Sequence, residues 1–334
     1  MGRKNEYQAK KILVTGGGGF IGSHLVEHLV REGAELTALT HYNGAGSTGW
    51  IKDLSQEIQS EIEVVLGDIT DTEAVAALTE HKDTVFNLAA LIAIPFSYKS
   101  PRLYLETNLM GTLNILEAAR RSSSRVIHVS TSEVYGTPDT TPILETHPIK
   151  PQSPYAASKA AADSLCHSYF NSFDLEVVVV RPFNTFGPRQ STRAIIPTLL
   201  SQVLTNPKVV RVGSLDPVRD FTYVTDTVRA LALAGSTEGI TGETIQLGTG
   251  EITSVGNLLS ICKEVFNVDF DIQVENERKR PKNSEVMILH SNPAKANELL
   301  GWQSAVTLKE GIANTAKWMR LQPSYLNSPE KYHV

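Results

Sequence analysis

From Lys11 to about Val180, short runs of β-branched and apolar residues alternate with longer stretches in which apolar residues recur at helical spacing. Alternation of strand, helix and strand builds a parallel sheet with helices on its faces. KILVTG, ELTALT, IEVVLGD, TVFNLAA, RVIHVST and LEVVVVRP are the expected strands. The last is almost unbroken in apolar character, as a strand covered on both faces must be. Gly22 to Glu32, Pro101 to Arg121 and Pro154 to Phe170 are the expected helices, with Leu105, Leu109, Leu113 and Leu116 forming an apolar stripe along the second. The pattern predicts an α/β fold with a doubly wound parallel sheet.

Beyond Arg181 the rhythm breaks at FNTFGPRQ, NPK and GSLDPVRD, and the rest mixes short strands with helices. ETIQLGTG reads as a strand that rejoins the main sheet. The second domain is therefore expected to be smaller and discontinuous: residues 1–182 with about 220–248 form the sheet domain, and about 183–219 with 249–334 form a smaller α/β domain. A length of 334 residues agrees, because single cores stop growing beyond about 250 residues.

Thirty-one Lys and Arg against 36 Asp and Glu give a net charge of -5. No chain-wide positive field exists to hold a nucleic-acid backbone, so no nucleic-acid partner is expected. Cys166 and Cys262 are far apart and lack metal-ligand spacing, which argues against a disulfide framework and a metal site and fits a reducing compartment. No apolar run approaches the roughly 20 residues that span a bilayer. The basic MGRKNEYQAK leads straight into a strand, and Glu6 stands where a myristoylation signal needs Ser or Thr. A cytoplasmic protein with no membrane partner is expected.

The first strand runs directly into TGGGGFIG and then a helix. Gly16, Gly19 and Gly22 at a strand-to-helix turn leave out the Cβ atoms that would keep a pyrophosphate from the backbone, and the helix N-terminus adds unpaired N–H donors. The acidic residue that grips the adenosine ribose, expected about 20 residues on, is missing. Thr40 and His41 occupy the end of the second strand, which permits a 2′-phosphate but supplies no Arg to hold it. NAD and NADP both remain open. Asp68 and Ile69 close the third strand where adenine would lie, although Asp68 equally suits the N-cap of the next helix.

RVIHV ends in Ser130, Thr131, Ser132 and Glu133, and SPYAASK opens a helix some twenty residues later. Tyr155 and Lys159, four apart, share a helix face. The ammonium can thus lower the phenol pKa from about 10 and make a base usable near neutral pH. Thr131 can hydrogen-bond the same substrate hydroxyl.

TGGGGFIG, NLAA, STSEVYG, YAASK, RPFNTFGPR and RDFTYVTD, in this order, resemble the extended short-chain dehydrogenase/reductase family, specifically its nucleotide-sugar-modifying enzymes, over essentially the whole chain. The resemblance implies a Rossmann-like domain that retains and recycles NAD(P), and a C-terminal domain that holds a UDP- or GDP-linked hexose or N-acetylhexosamine. It also implies a homodimer packed through the Pro101 to Arg121 and Pro154 to Phe170 helices. By the same resemblance, Phe20 and Ile21 in the turn, Leu88, Ala89 and Ala90 after the fourth strand, and Asn108, Tyr155 and Lys159 meet the cofactor. Asn184 binds the substrate diphosphate, with Arg219, Arg280 and Arg189 as its cationic partners. Bidentate guanidinium contacts suit a diphosphate, though ERKR around Arg280 also reads as a solvated basic turn.

The expected reaction turns on Glu133. Epimerases similar to this sequence usually carry a small or apolar residue there, whereas a carboxylate has a further proton to move. In the dehydratases it resembles, Tyr155 takes the C4 hydroxyl proton as hydride leaves C4, and Glu133 removes the C5 proton. Water then leaves C6, and hydride returns there to give a 4-keto-6-deoxy sugar. Glucose-nucleotide dehydratases often carry Asp where this chain has Ser132. Thr-Ser-Glu instead resembles the GDP-mannose 4,6-dehydratase type, in which Glu133 serves as base and acid while Ser132 relays or orients. The last hundred residues resemble dehydratases acting on UDP- or GDP-linked N-acetylglucosamine. Thr-Ser-Glu also occurs in UDP-glucuronate decarboxylases, which need a cation for the substrate carboxylate that the sequence does not assign. A 4,6-dehydratase is the expectation, with a 4-epimerase or decarboxylase as rivals. The intact Tyr155 and Lys159 pair speaks against a non-catalytic cofactor sensor.

Overall fold

A computed structural model, which describes residues 6–205 and 208–326, turns the apolar alternation into a seven-stranded parallel sheet. The Met1-Gly2 start and the Asn206-Pro207 break lie outside the described residues. The strands are β1 (Lys11–Thr15), β2 (Glu35–His41), β3 (Ile62–Gly67), β4 (Thr84–Asn87), β5 (Arg125–Val129), β6 (Val177–Pro182) and β7 (Thr244–Leu247). Their spatial order is β3-β2-β1-β4-β5-β6-β7. Every residue of β6 is buried, as its run of valines requires, and β7 is the ETIQL segment, paired in parallel with β6.

Helices cover both faces. On one, α1 (Phe20–Arg31) and α4 (Val224–Ser236) pack Leu25, Leu29, Val228 and Leu231 onto the sheet. On the other, α2 (Gly111–Ser122) and α3 (Pro154–Phe173) bury Ile115, Leu116, Cys166 and Tyr169. Both cysteines are buried free thiols.

The expected Pro101 to Arg121 helix contains one irregularity. Between Pro101–Tyr104 and α2 the segment Leu105–Met110 is a π-helix. Its wider turn shifts the phase of the apolar face. The buried positions include Tyr104, Asn108, Thr112, Ile115, Leu116 and Ala119, while Leu105 is exposed and Leu109 and Leu113 are half-buried. Of the expected leucine stripe only Leu116 is fully buried.

A second core gathers Phe186, Leu199, Val210, Phe221, Leu258 and Ile312 with the helix α6 (Leu308–Met319). Short strands and helices after residue 183 build it. The cores cut across the expected boundaries: Trp50 packs against the second core, and Phe221 and Tyr223 belong to it. The helix α5 (Ala294–Leu300) and Trp302 join the first core, not the second. Trp302 is fully buried and its indole N–H donates to the Asp226 carbonyl at the start of α4, 2.9 Å away. That bond draws the segment onto the sheet domain. Among the described residues no helix is long and apolar enough to cross a membrane.

Trp302→Ala should remove this plug and cost about 3–5 kcal/mol of stability, read as a lowered urea midpoint. A loss below about 1 kcal/mol would show that the segment is only loosely docked.

Candidate active site

Strand order reverses between β1 and β4, and the crevice at the C-terminal ends of those strands is where open α/β sheets bind ligands. The glycine turn sits there. Gly16 has φ +70°, and a Cβ on it would stand 3.0 Å from the Ala89 backbone; one on Gly22 would stand 2.1 Å from the Gly16 carbonyl oxygen. Only glycine lets β1, the segment after β4 and α1 approach so closely. Gly19 caps α1 without a side-chain hydrogen bond, leaving the first N–H groups free for a ligand. These features fit a pyrophosphate. Phe20 and Ile21 open α1 behind the turn. Thr15 Oγ1 accepts from the N–H groups of Leu88 and Ala89, both at 3.1 Å, and fixes the segment that continues into Ala90.

Asn108 acts at one remove from that segment. Its amide accepts from Leu91 N at 2.8 Å and donates to Leu91 O and to Ser158 Oγ, which ties the cofactor segment to α3. At the adenosine end, Thr40 is buried and its hydroxyl has no partner among the described residues. His41 Nδ1 lies 3.3 Å from Asp68 Oδ2 at the edge of β3, and Ile69 is buried beside them against Gly111. The N-cap of the following helix is Asp71, which accepts from Glu73 and Ala74, and not Asp68, whose carboxylate is turned to Thr70.

The sequence places Tyr155 and Lys159 in the first two turns of α3 because Ser153 caps the helix, accepting from Ala156 N at 3.1 Å, and Pro154 starts it. Thr131 caps the short helix Ser132–Tyr135 by accepting from Glu133 N at 3.2 Å. Tyr155 is buried with its ring against Tyr104. Burial pushes its phenol well above the usual range, the Thr131 hydroxyl pulls it down and Glu133 raises it further. The expected depression by Lys159 is not what the geometry gives. Lys159 is itself buried and pushed down to about 8, and its Nζ lies against His128 Nε2 at 3.4 Å.

Below this pair is a buried polar cluster that sequence reasoning missed. Asp163, one further turn along α3, accepts from Arg181 Nε at 2.9 Å and lies 3.5 Å from His128 Nε2. Arg181 also donates to Tyr135 Oη at 2.9 Å. Asn87 joins Thr15 to His128, so strands β1, β4 and β5 share one line of polar side chains. Burial drives the His128 imidazole down to about 4, and the Lys159 charge lowers it further. Burial alone would raise the Asp163 carboxyl, but the His128 hydrogen bond and the Arg181 charge hold it below its usual range. A lone His within an apolar strand and an Asp four residues after the YxxxK lysine were the available signals.

On the C-terminal side, Arg219 Nη2 donates to Glu285 at 2.9 Å, and Arg280 Nη1 lies 3.5 Å from Glu285 and 3.8 Å from Glu133. The loop carrying Arg280 and Glu285 is fastened by Ser284, which meets Tyr98 Oη and donates to Gln152 O. Glu285 was not visible in the sequence as a partner of either arginine. Asn184 heads the strand Asn184–Phe186, its side-chain oxygen buried and unpartnered among the described residues. Arg189 stands apart from this group. It adopts φ +68° and pairs with Glu27 of α1 at 2.9 Å, beside His24, whose imidazole burial and Arg189 push down to about 4.

The sequence model of a family described as GDP-mannose 4,6 dehydratase matches residues 13–315. The chain belongs to that family. Family members share the nucleotide-sugar epimerase and dehydratase fold of extended short-chain dehydrogenases. A dTDP-glucose 4,6-dehydratase of Actinoplanes sp. is 35% identical over 94% of this chain and 99% of its own length. A UDP-glucose 4-epimerase of Mycolicibacterium smegmatis is 35% identical over 93% and 98%. UDP-glucuronic acid 4-epimerase from Bacillus cereus, solved with UDP-glucuronic acid and NAD, superposes with a TM-score of 0.85 at 30% identity, covering 93% of this chain and 99% of its own. The family thus includes dehydratases, 4-epimerases and a decarboxylase related to this chain.

Two outcomes follow from the geometry. Gly22→Ala should weaken dinucleotide binding at least tenfold in titration calorimetry, since its methyl has no room beside Gly16; unchanged affinity would remove the turn from the site. His128 is neutral in the fold at about 4 and protonates at 6.5 when unfolded. The unfolded chain therefore binds more protons between those values, and stability falls as pH drops through that window. His128→Asn should reduce the slope of unfolding free energy against pH there by about one proton.

Proposed function

We propose that the protein is an NAD(P)-dependent nucleotide-sugar 4,6-dehydratase. The observation that carries this reading is the position of Glu133, a largely buried carboxylate on the turn that begins at Thr131 and close enough to raise the Tyr155 phenol. An epimerase that oxidises and re-reduces C4 has no work for a second proton acceptor there.

When bound, the oxidised dinucleotide would accept the hydride from C4 and supply the hydride later returned to C6. The chain's own residues move the protons. Tyr155 Oη takes the C4 hydroxyl proton, with the Thr131 hydroxyl bonded to the same oxygen. Burial of Tyr155 disfavours its phenolate, so deprotonation depends on positive charge being brought to it, and Lys159, one turn along α3, supplies it by turning from His128 toward the phenol. Glu133 then removes the C5 proton and returns it to the departing C6 hydroxyl, with Ser132 orienting it, and as hydride returns to C6 a solvent proton is delivered to C5 through Glu133 while Tyr155 gives its own proton to solvent. Arg219, Arg280 and the Asn184 amide hold the diphosphate of a UDP- or GDP-linked hexose or N-acetylhexosamine. Glu285 keeps the two arginines in register before substrate arrives.

A second reading rests on Arg280. Its guanidinium beside Glu133 is the cation that a uronate carboxylate would require, which favours a UDP-glucuronate decarboxylase over an epimerase as the alternative. A homodimer is proposed as well, through the half-exposed Leu103, Leu105 and Met110 on one helix and Phe173 at the end of α3. Two buried free thiols suit the cytoplasm.

Incubation with UDP-, GDP- and dTDP-sugars in deuterated water, followed by mass spectrometry, tests the reading. Loss of one water with one deuterium retained is expected; loss of carbon dioxide from UDP-glucuronate would replace the reading with the decarboxylase. Tyr155→Phe should lower kcat by about 10²–10⁴-fold with cofactor affinity unchanged. Glu133→Gln should still allow bound cofactor to be reduced by substrate but should release no water. Water loss at the normal rate in that variant would sink the mechanism.

A further inference from the structure

Residues 41–50 link β2 to the following turn and pass directly over the glycine turn. Asn43 braces this loop from within, accepting from Ser47 N at 2.9 Å and donating to Ser47 O at 2.8 Å. At its far end Trp50 N donates to Gly18 O at 2.9 Å. The two backbones are pressed together: a Cβ on Gly18 would stand 2.6 Å from Thr48 O, and one on Gly49, where φ is +63°, would stand 2.3 Å from Gly18 O.

The side chain that ends the loop leaves the first domain altogether. Among the described residues Trp50 is the one member of the second hydrophobic core that comes from before residue 186. Its ring packs edge-on against Trp318 at the end of α6, with centroids 5.5 Å apart, and lies 6.1 Å from Tyr325 in the short helix Pro323–Leu326. Trp318 and Tyr325 pack on each other at 5.0 Å. Both lie beyond residue 315, where the family match stops.

We propose that this aromatic cluster fastens the 41–50 loop over the glycine turn, so that Trp50, Trp318 and Tyr325 are positioning residues that set how long a dinucleotide stays bound. The inference rests on the reading that the glycine turn holds NAD(P). An enzyme that oxidises and reduces its substrate within one turnover needs no cofactor exchange, and a slow exit keeps the reduced form in place until hydride returns. The turn cannot widen at Gly18 while Thr48 and Gly49 lie against it, and the loop cannot lift without withdrawing Trp50 from its contact with the C-terminal rings. Anchoring through a core of the second domain also makes cofactor retention depend on that domain being folded.

The test compares wild type with Trp318→Leu, Tyr325→Leu, Trp50→Ala and Trp50→Phe in the full-length protein. Dissociation of NADH is followed by stopped-flow fluorescence after mixing with excess NAD, and thermal melting is recorded for each. Trp318→Leu and Trp50→Ala should speed dissociation about three- to tenfold, the span of one or two lost aromatic contacts, and Trp50→Phe should restore most of the wild-type lifetime. Tyr325→Leu should act in the same direction but removes a buried ring, so Trp50→Ala, at a half-buried position, keeps the test open if that variant folds poorly. Lowered melting with wild-type dissociation rates would overturn the proposal and leave the cluster a packing feature. Failure of the wild type to bind NAD or NADH at all would instead overturn the cofactor reading on which it rests.

Discussion

The carboxylate of Asp163 is the charge on which the rest of the site depends. It lies buried in α3 against Arg181 of β6 and His128 of β5, and it supports the charged form of Lys159. Two cationic side chains therefore stand inside the protein around a single anion. Their burial would be prohibitive alone, and removing one partner of such a group leaves the others uncompensated. The arrangement also locks helix to sheet at the place where the helix presents Tyr155. The geometry of the base is set from below, by a group that never meets a substrate.

A second balance of charge lies across the crevice. Glu133 and Glu285 face Arg219 and Arg280, so the wall opposite the glycine turn is close to neutral when empty. Burial lowers the Arg219 guanidinium, Glu133 raises it again and Arg280 opposes. An arriving diphosphate adds negative charge to a set already in balance, and the response available to Arg280 is to turn from the carboxylates toward the phosphate. The carboxylate proposed for proton transfer and the arginines proposed for the diphosphate are thus joined through Arg280.

Much of this was legible in the chain. Short β-branched runs set between stretches of helical spacing marked all six strands before residue 183 and the returning strand at Thr244, because buried parallel strands leave near-continuous apolar runs. Glycines at a strand-to-helix turn and a Tyr four residues before a Lys carry their chemistry in their spacing. The unread features depend on long-range contact. The π-helical turn at Leu105–Met110 rotates the apolar face without a Pro or Gly inside it to announce it. Glu285 lies more than sixty residues from Arg219, and Trp302 joins the first core through a hydrogen bond to a distant carbonyl. Arg189, a charge among motif residues, pairs with α1 instead of the arginine wall.

The return of β7 to the sheet has a consequence for how the molecule is made. About sixty residues separate β6 from the strand that covers its edge, and at about 5–20 residues per second a ribosome takes several seconds to supply them. During that time a strand with four consecutive valines stands with an open edge, the arrangement most prone to pairing with another chain. The sheet domain cannot close when its own first 182 residues have emerged. Its last strand follows the segment that carries Arg219, so the sheet is completed only after part of the second core has been synthesised.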